Sequence, residues 1–455
     1  MWLLTELKKR KKEDKPAVIC RERCLTYRQL WEQSEQIAQK MLGDLQTKAP
    51  ILIYGNKNNE IIPVMVAALK TGRAYVPVDV TFPVERLSRI QKITEAEMVF
   101  NFSHADLGEL SKDCLVIQEN DYAEIIADTV SGEVPEDQWV QGEDNCYILF
   151  TSGSTGDPKG VQITKNNILN FVGWFSGYAA VPEGAAVLNQ VSYSFDVSVI
   201  QLYIYLASGA TLFSIDKGMI EDFGELFHYL VESDISAWVS TPAFIEMCAV
   251  YNSFDSGLLP NLQKIILAGE VLTKKLTRAL WDKFPGVQVI NGYGPTEGTV
   301  LLTCCEITEK MVEDMENELP IGRILDGGIC WLEDSEHRPM EMESGKGELV
   351  VCSDSISKGY FKNPEITEKH FYNSESGWAY RTGDMVYAIG KNIYYCGRID
   401  FQIKLNGYRI ELDDISANLN KVPLVVNNVV LPVYRDGRPT LPHLLFSVRN
   451  LRSPL

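Results

Sequence analysis

At 455 residues the chain is too long for one ordinary core, and about three units of ~150 residues is the natural first division. A hydrophobic content of 45% with 10% aromatics excludes a disordered polymer, and a formal net charge of −18 excludes a general nucleic-acid or anionic-membrane surface, so any phosphate site must be a local positive pocket. No stretch reaches the ~18 apolar residues of a membrane span, and Met1-Trp2-Leu3-Leu4 is too short for a signal-peptide core, so no membrane insertion and a cytoplasmic location are expected.

In chain order, the basic run from Lys8 to Lys12 reads as the solvated face of a helix. Leu25-Thr26-Tyr27 opens a helical pattern, followed by a strand over 51–54, a helix over 60–70, a strand over 74–78, a helix after Pro83 and strands near 98–100 and 115–118. A second alternating set starts with a helix at Lys165. It continues with strands near 187, 211–215, 237–240, 264–267 and 287–290, separated by helices over 197–207, around Leu226, after Pro242 and over 273–283. The pattern predicts an α/β fold with two doubly wound, mainly parallel sheets, whose ligands sit beyond the carboxyl ends of the strands. From about Ile321 short β-type runs with glycine turns, including 347–352 and 392–395, predict a small β-rich unit. Beyond Asp400 a helix over 413–419 and strands over 425–433 and 444–448, with Asp436-Gly437 between them, predict a short α+β unit ending in a hairpin. The expected division is therefore 1–399 and 400–455. Ten cysteines, with Cys304 and Cys305 adjacent, suit neither a disulfide framework nor a zinc ribbon and are expected as reduced thiols.

Four segments carry chemistry. After the apolar run Tyr147-Ile148-Leu149-Phe150 comes Thr151-Ser152-Gly153-Ser154-Thr155-Gly156-Asp157-Pro158-Lys159-Gly160, whose backbone N–H groups, hydroxyls and Lys159 suit phosphate oxygens. The Walker pattern fails, because Pro158 stands where the second glycine belongs, and a flexible Gly/Ser turn is the competing reading. Next, Asn291-Gly292-Tyr293-Gly294-Pro295-Thr296-Glu297 offers an aromatic face for a purine, an amide for its edge, a hydroxyl for the α-phosphate and a hard carboxylate for Mg²⁺; a plain Gly-Pro turn is the alternative. Arg381-Thr382-Gly383-Asp384 and Tyr395-Cys396-Gly397-Arg398-Ile399-Asp400 supply a carboxylate for ribose hydroxyls and an arginine for ribose or phosphate. Finally, Asp196 in Ser194-Phe195-Asp196-Val197-Ser198 is either a helix N-cap or a carboxylate awaiting a cation such as a substrate ammonium. The five histidines lie outside these segments.

The first loop and the Tyr-Gly-Pro-Thr-Glu segment resemble the signatures of the adenylate-forming enzymes, the superfamily of acyl-CoA synthetases, luciferases and amino-acid adenylation domains. Tyr75-Val76-Pro77-Val78-Asp79 with Pro83 and Arg86, and Lys404-Leu405-Asn406-Gly407-Tyr408-Arg409-Ile410-Glu411, resemble two further elements of that superfamily. The resemblance implies ATP- and Mg²⁺-dependent activation of a carboxylate, with transfer to a thiol. It implies catalytic roles for Lys159, Thr296 and Glu297, the last also holding the metal. Nucleotide binding falls to Thr151, Ser152, Gly153, Ser154, Thr155 and Gly156, to Asn291, Gly292, Tyr293, Gly294, Pro295 and Thr296, and to Asp384, Tyr395 and Arg398. Asp400 becomes the hinge of a C-terminal lid. Asp196 would bind a substrate α-amino group, in a pocket walled by Val197, Ile200, Val239, Ile266, Ala268, Gly292, Val300 and Leu301. Those small or apolar walls imply a neutral, modest side chain.

Over almost its whole length the chain is most similar to the D-alanine–carrier protein ligases within that superfamily, which implies D-alanine as substrate and a phosphopantetheinylated carrier protein as partner. Excised adenylation domains of nonribosomal peptide synthetases acting on a larger apolar amino acid are the second expectation. Ala268 and Gly292 stand where those ligases usually carry cysteine and threonine, which leaves room for a larger residue unless Leu301 fills it. The family's lid closes with a Gly-Lys motif, and nothing after Gly437 matches it. Two further expectations follow, a lid cut short or a nucleotide-binding remnant with a crippled adenylation step.

Overall fold

The computed structural model describes residues 2–128, 132–151, 158–400, 402–405, 408–422, 424–435 and 438–448. The first sheet runs, edge to edge, Leu115–Gln118, Met98–Asn101, Ile51–Gly55, Tyr75–Asp79, Asn145–Thr151 and Lys159–Thr164. Its first five strands pair in parallel, and the last returns antiparallel from Asn145–Thr151. The central strands Ile51–Gly55 and Tyr75–Asp79 are buried throughout, as continuous apolar runs covered on both faces should be. Every residue of the helix Ile61–Lys70 is buried too, including its terminal lysine. Lys70 Nζ meets Glu35 Oε1 and Ser34 Oγ, both at 2.7 Å, and lies 3.3 Å from the Trp31 ring centre, which ties this helix to Tyr27–Asp44. The latter helix begins where the sequence placed it, because Thr26 and Gln29 form a reciprocal capping box.

The second sheet has nine strands in the order Arg323–Ile324, Thr303–Glu306, Gln288–Tyr293, Lys264–Ala268, Ile235–Ser240, Ala186–Asn189, Thr211–Ser214, Pro16–Cys20 and Arg23–Thr26. The last two form an N-terminal hairpin that the sequence reading passed over. It joins this sheet through parallel pairing of Val18 with Leu212, nearly two hundred residues away in sequence. Two further differences concern the site. The segment expected as a helix over 197–207 is helical but wound as a wider π-helix over Ile200–Leu206, buried at every residue. The strand expected to stop at Ile290 continues as Gln288–Tyr293, so Asn291 and Gly292 are strand residues held by neighbours on both sides and Tyr293 is paired with Thr303.

The β-rich unit is built on Ile329–Glu333, Gly347–Cys352 and Gly377–Ile389, with Asn392–Arg398 paired to the last. Beyond Asp400 come the short pair Gln402–Leu405 and Tyr408–Glu411, the helix Leu412–Asn420 and the hairpin Val425–Arg435 with Arg438–Val448. The Asp-Gly turn predicted at 436–437 lies outside the described residues. Ile403, Leu412 and Val430 form the small core of this segment. All ten cysteines are free thiols, and among the described residues no helix is long and apolar enough to cross a membrane.

Candidate active site

Polar residues leaving the carboxyl ends of both sheets converge on two adjoining cavities. The larger, about 400 Å³, is lined among others by Asp79, Ser192, Asp196, Val197, Thr296 and Val300. The smaller, about 230 Å³, shares Phe195 and Thr296 with it and adds Arg86, Thr151, Glu411 and Asp414. Thr296 therefore stands at the junction, while Asp196 lines the larger cavity alone.

At the loop, Thr151 and Lys159 face each other across the antiparallel pair that flanks it. Residues 152–157, which carry the predicted contacts of Ser152, Gly153, Ser154, Thr155 and Gly156, lie outside the described residues. Thr151 Oγ1 is buried with no hydrogen-bond partner among the described residues, a cost that a bound oxygen ligand at the small cavity would remove. Lys159 Nζ lies 3.7 Å from Glu411 Oε1 and 5.3 Å from the centre of the Tyr360 ring. The Tyr360 hydroxyl in turn donates to Glu297 Oε1 at 2.7 Å. Glu297 is fully buried at the start of the 3-10 turn Thr296–Gly298, and its carbonyl accepts from Ser357 N at 2.8 Å. Lys159, Tyr360 and Glu297 thus form one connected row, and Tyr360 is a member that no sequence motif had indicated.

Tyr293 does not present an open face to solvent. It is 7% exposed, its hydroxyl donates to Asp384 Oδ2 at 2.5 Å, and its ring centre lies 6.3 Å from that of Tyr395. Arg398 occupies the other carboxylate oxygen, donating from Nη1 to Asp384 Oδ1 at 3.0 Å, while Nε and Nη2 reach the two oxygens of Asp400 at 2.6 Å each. Burial opposes the guanidinium charge, yet the hydrogen bonds to Asp400 and the field of Asp384 hold the Arg398 pKa above the usual arginine value. The predicted ribose and hinge residues are thereby one ion-paired cluster. Asn291 is buried within the strand and donates its amide Nδ2 to the Pro320 carbonyl at 2.8 Å.

Asp196 sits in a loop turn in which its own carbonyl accepts from Val199 N at 2.9 Å and the Ser198 hydroxyl donates to Phe195 O at 2.7 Å. It is half-buried and faces the large cavity together with Val197 and Val300. Val300 and the preceding Thr299 have φ of 74° and 54°, an uncommon left-handed pair for branched residues, and Thr299 is fixed there by its hydroxyl bond to Ser355 O at 2.6 Å. Ile200, Val239, Ile266, Ala268, Gly292 and Leu301 do not line that cavity; they are buried behind its wall. Leu301 answers the question that Gly292 raised. A Cβ at position 292 would come within 2.8 Å of Leu301 Cδ1 and 2.9 Å of Cδ2, so the leucine already occupies the volume that a side chain there would take.

Asp79 accepts from Asn56 Nδ2 at 2.8 Å, from Thr81 N at 2.9 Å and from the Ser192 hydroxyl, while the Ser194 hydroxyl donates to Pro77 O at 3.1 Å. The Tyr-x-Pro-x-Asp strand of the first sheet thereby anchors the loop that delivers Asp196 from the second.

The family model described as AMP-binding enzyme matches residues 5–361. A D-alanine–D-alanyl carrier protein ligase of Listeria welshimeri is 37% identical over 416 residues, covering 91% of this chain and 81% of that one. The protein of the same name from Bacillus licheniformis is 37% identical over 441 residues, covering 96% and 87%. Among solved structures, a nonribosomal peptide synthetase protein with adenylation and PCP domains, bound to a vinylsulfonamide inhibitor, superposes with a TM-score of 0.84 at 23% identity, covering 99% of this chain and 77% of that one. The Vibrio cholerae adenylation domain AlmE with glycyl-adenosine-5′-phosphate superposes with a TM-score of 0.79 at 20% identity, covering 97% and 87%. At those identities the two structures establish the fold alone.

Proposed function

The chain belongs to the AMP-binding enzyme family, and from that premise we propose that it is an AMP-forming ligase that activates a small neutral amino acid, D-alanine first, and passes it to the phosphopantetheine thiol of a carrier protein. The observation that carries the amino-acid half of the reading is Asp196, a half-buried carboxylate on the lining of the larger cavity, which also holds the apolar side chains of Val197, Val300 and Phe244. A carboxylate facing that cavity can receive a substrate ammonium as a charge-assisted hydrogen-bond partner. The relatives' names give the same direction, and because Leu301 fills the volume beside Gly292, the glycine opens no extra room for a larger side chain.

In this reading the substrate carboxylate attacks the α-phosphorus of ATP near Thr296, pyrophosphate leaves, and the acyl–adenylate bond retains the activation energy. The carrier thiol then attacks the acyl carbon, giving the thioester and AMP. The protein contributes position and charge: Asp196 fixes the ammonium, Thr296 donates at the α-phosphate between the two cavities, and Lys159 faces the β- and γ-phosphates. Asp384 and Arg398 receive the ribose once their mutual contacts open, with Tyr293 and Tyr395 beside the base. The donors fit a hard divalent cation, since Glu297 offers a buried carboxylate and Thr151 a hydroxyl with no described partner. Mg²⁺ held there with the nucleotide would neutralise phosphate charge. Residues 400–455 act as the lid and Asp400 as its hinge, with Glu411 and Asp414 on the smaller cavity. Replacing Asp196 by alanine tests the assignment: amino-acid-dependent exchange of pyrophosphate into ATP should vanish while ATP binding persists, and unchanged exchange removes Asp196 as the amine anchor.

A further inference from the structure

Lys57 follows the strand Ile51–Gly55 in a polar turn, Asn56-Lys57-Asn58-Asn59, that reads from sequence as a solvated loop. The structure buries it instead, at 2% exposure, directly behind the wall that Asn56 and Val191 contribute to the large cavity. Its ammonium donates to Asn189 Oδ1 at 2.9 Å and to Val191 O at 2.5 Å, and lies 3.7 Å from the centre of the Tyr193 ring. All three contacts belong to one stretch, the exit of the strand Ala186–Asn189 toward Asp196. Asn189 extends the hold by donating from Nδ2 to the Tyr193 hydroxyl at 2.9 Å and to Ser214 Oγ at 2.8 Å. No carboxylate forms a salt bridge with Lys57 among the described residues, so a buried charge is satisfied by carbonyl oxygens and a ring face, an arrangement that costs stability. A loop that needed only to be covered would be cheaper to hold with a methionine or leucine.

We propose that Lys57 is a positioning residue for amino-acid binding: its ammonium gathers Asn189, Val191 and Tyr193 and so sets the loop that presents Asp196 to the substrate amine. The inference rests on Asp196 being that anchor. The charged and titratable groups around Lys57 are Asp79 from the neighbouring strand, Cys20 from the N-terminal hairpin and Tyr193 from the loop itself. Burial pushes the ammonium down to about 7, against the opposing fields of Asp79 and Cys20. The grip is therefore complete below that pH and weakens above it, as the charge and one of three donors are lost.

The test uses the full chain in pyrophosphate exchange, with Lys57→Met and Asp196→Ala beside the wild type and thermal melts of all three. The wild-type KM for the amino acid should rise between about pH 6.5 and 8.5, and Lys57→Met should give a KM raised by about tenfold at the lower pH and flat across the range, with the ATP KM within about twofold, since a lost hydrogen bond to a charged group is of that size. Binding of an alanyl-sulfamoyl adenosine analogue, read by calorimetry, should weaken in parallel. If Asp196→Ala abolishes exchange while Lys57→Met keeps the wild-type amino-acid KM and pH profile, the positioning role is wrong and the anchor stands. If Asp196→Ala keeps its amino-acid KM, the anchor falls and the role of Lys57 falls with it. Should Lys57→Met not fold, a wild-type KM that stays constant from pH 6 to 9 overturns the proposal by itself.

Discussion

Lys159 Nζ and Glu411 Oε1 stand 3.7 Å apart with side chains only 8% and 10% exposed, joining the end of the phosphate-loop hairpin to the first residue before the helix Leu412–Asn420. A lysine so engaged is partly neutralised, and a triphosphate entering the loop competes with Glu411 for it. Glu411→Gln should therefore lower the ATP KM in pyrophosphate exchange by roughly threefold to tenfold, the pair being worth little more once desolvation is offset. Steady-state kinetics at saturating amino acid check it, and an unchanged or raised ATP KM contradicts it.

Asp384 is claimed from both sides, by the Tyr293 hydroxyl and by Arg398. On the proposed reading ribose hydroxyls approach a carboxylate that Tyr293 and Arg398 already engage, so nucleotide binding should be coupled to the Arg398–Asp400 contact. Asp384→Asn should cost about 1–3 kcal/mol of stability, the range for hydrogen bonds to charged groups, and raise the ATP KM. Denaturant unfolding and nucleotide titration measure the two effects separately.

Leu301 and Gly292 share one volume. Gly292→Thr alone should overpack the wall and destabilise by about 1–3 kcal/mol, because the strand Gln288–Tyr293 is fixed on both edges. Leu301→Ala alone should cost about 2–5 kcal/mol by leaving a cavity. The double variant should recover part of both losses, which a double-mutant cycle reads directly; additive losses would mean that the two positions do not share space.

Lys57 also predicts a stability slope. Its folded pKa is near 7 against the usual 10.5, so between those values the unfolded chain holds one more proton than the folded one. Stability from this residue is lowest below about pH 7 and rises as the pH is raised through that window. Lys57→Met should remove up to about 1.4 kcal/mol per pH unit from the slope between pH 7.5 and 9, measured by denaturant unfolding.

Much of this was legible in the sequence because the signals were local. The buried runs Ile51–Gly55 and Tyr75–Asp79 announced parallel strands, and Leu25-Thr26-Tyr27 announced a helix start. The N-terminal hairpin was not legible as part of the second sheet, because the pairing of Val18 with Leu212 depends on a partner far away in sequence. The extension of the strand through Asn291, and the bond of its amide to Pro320, were not legible either, because the Gly-Pro segment that follows signals a turn. Lys57 was missed for the opposite reason. A lysine among asparagines is normally solvated, and only the fold of the second sheet over it takes it out of water.

Exchange of labelled pyrophosphate into ATP by the folded, full chain, across a panel of neutral amino acids in both stereochemical forms, tests the ligase assignment most directly. The prediction is amino-acid-dependent exchange that is strongest with D-alanine and falls as the side chain grows. Exchange with none of the panel, from protein shown to be folded and to bind ATP, would contradict it.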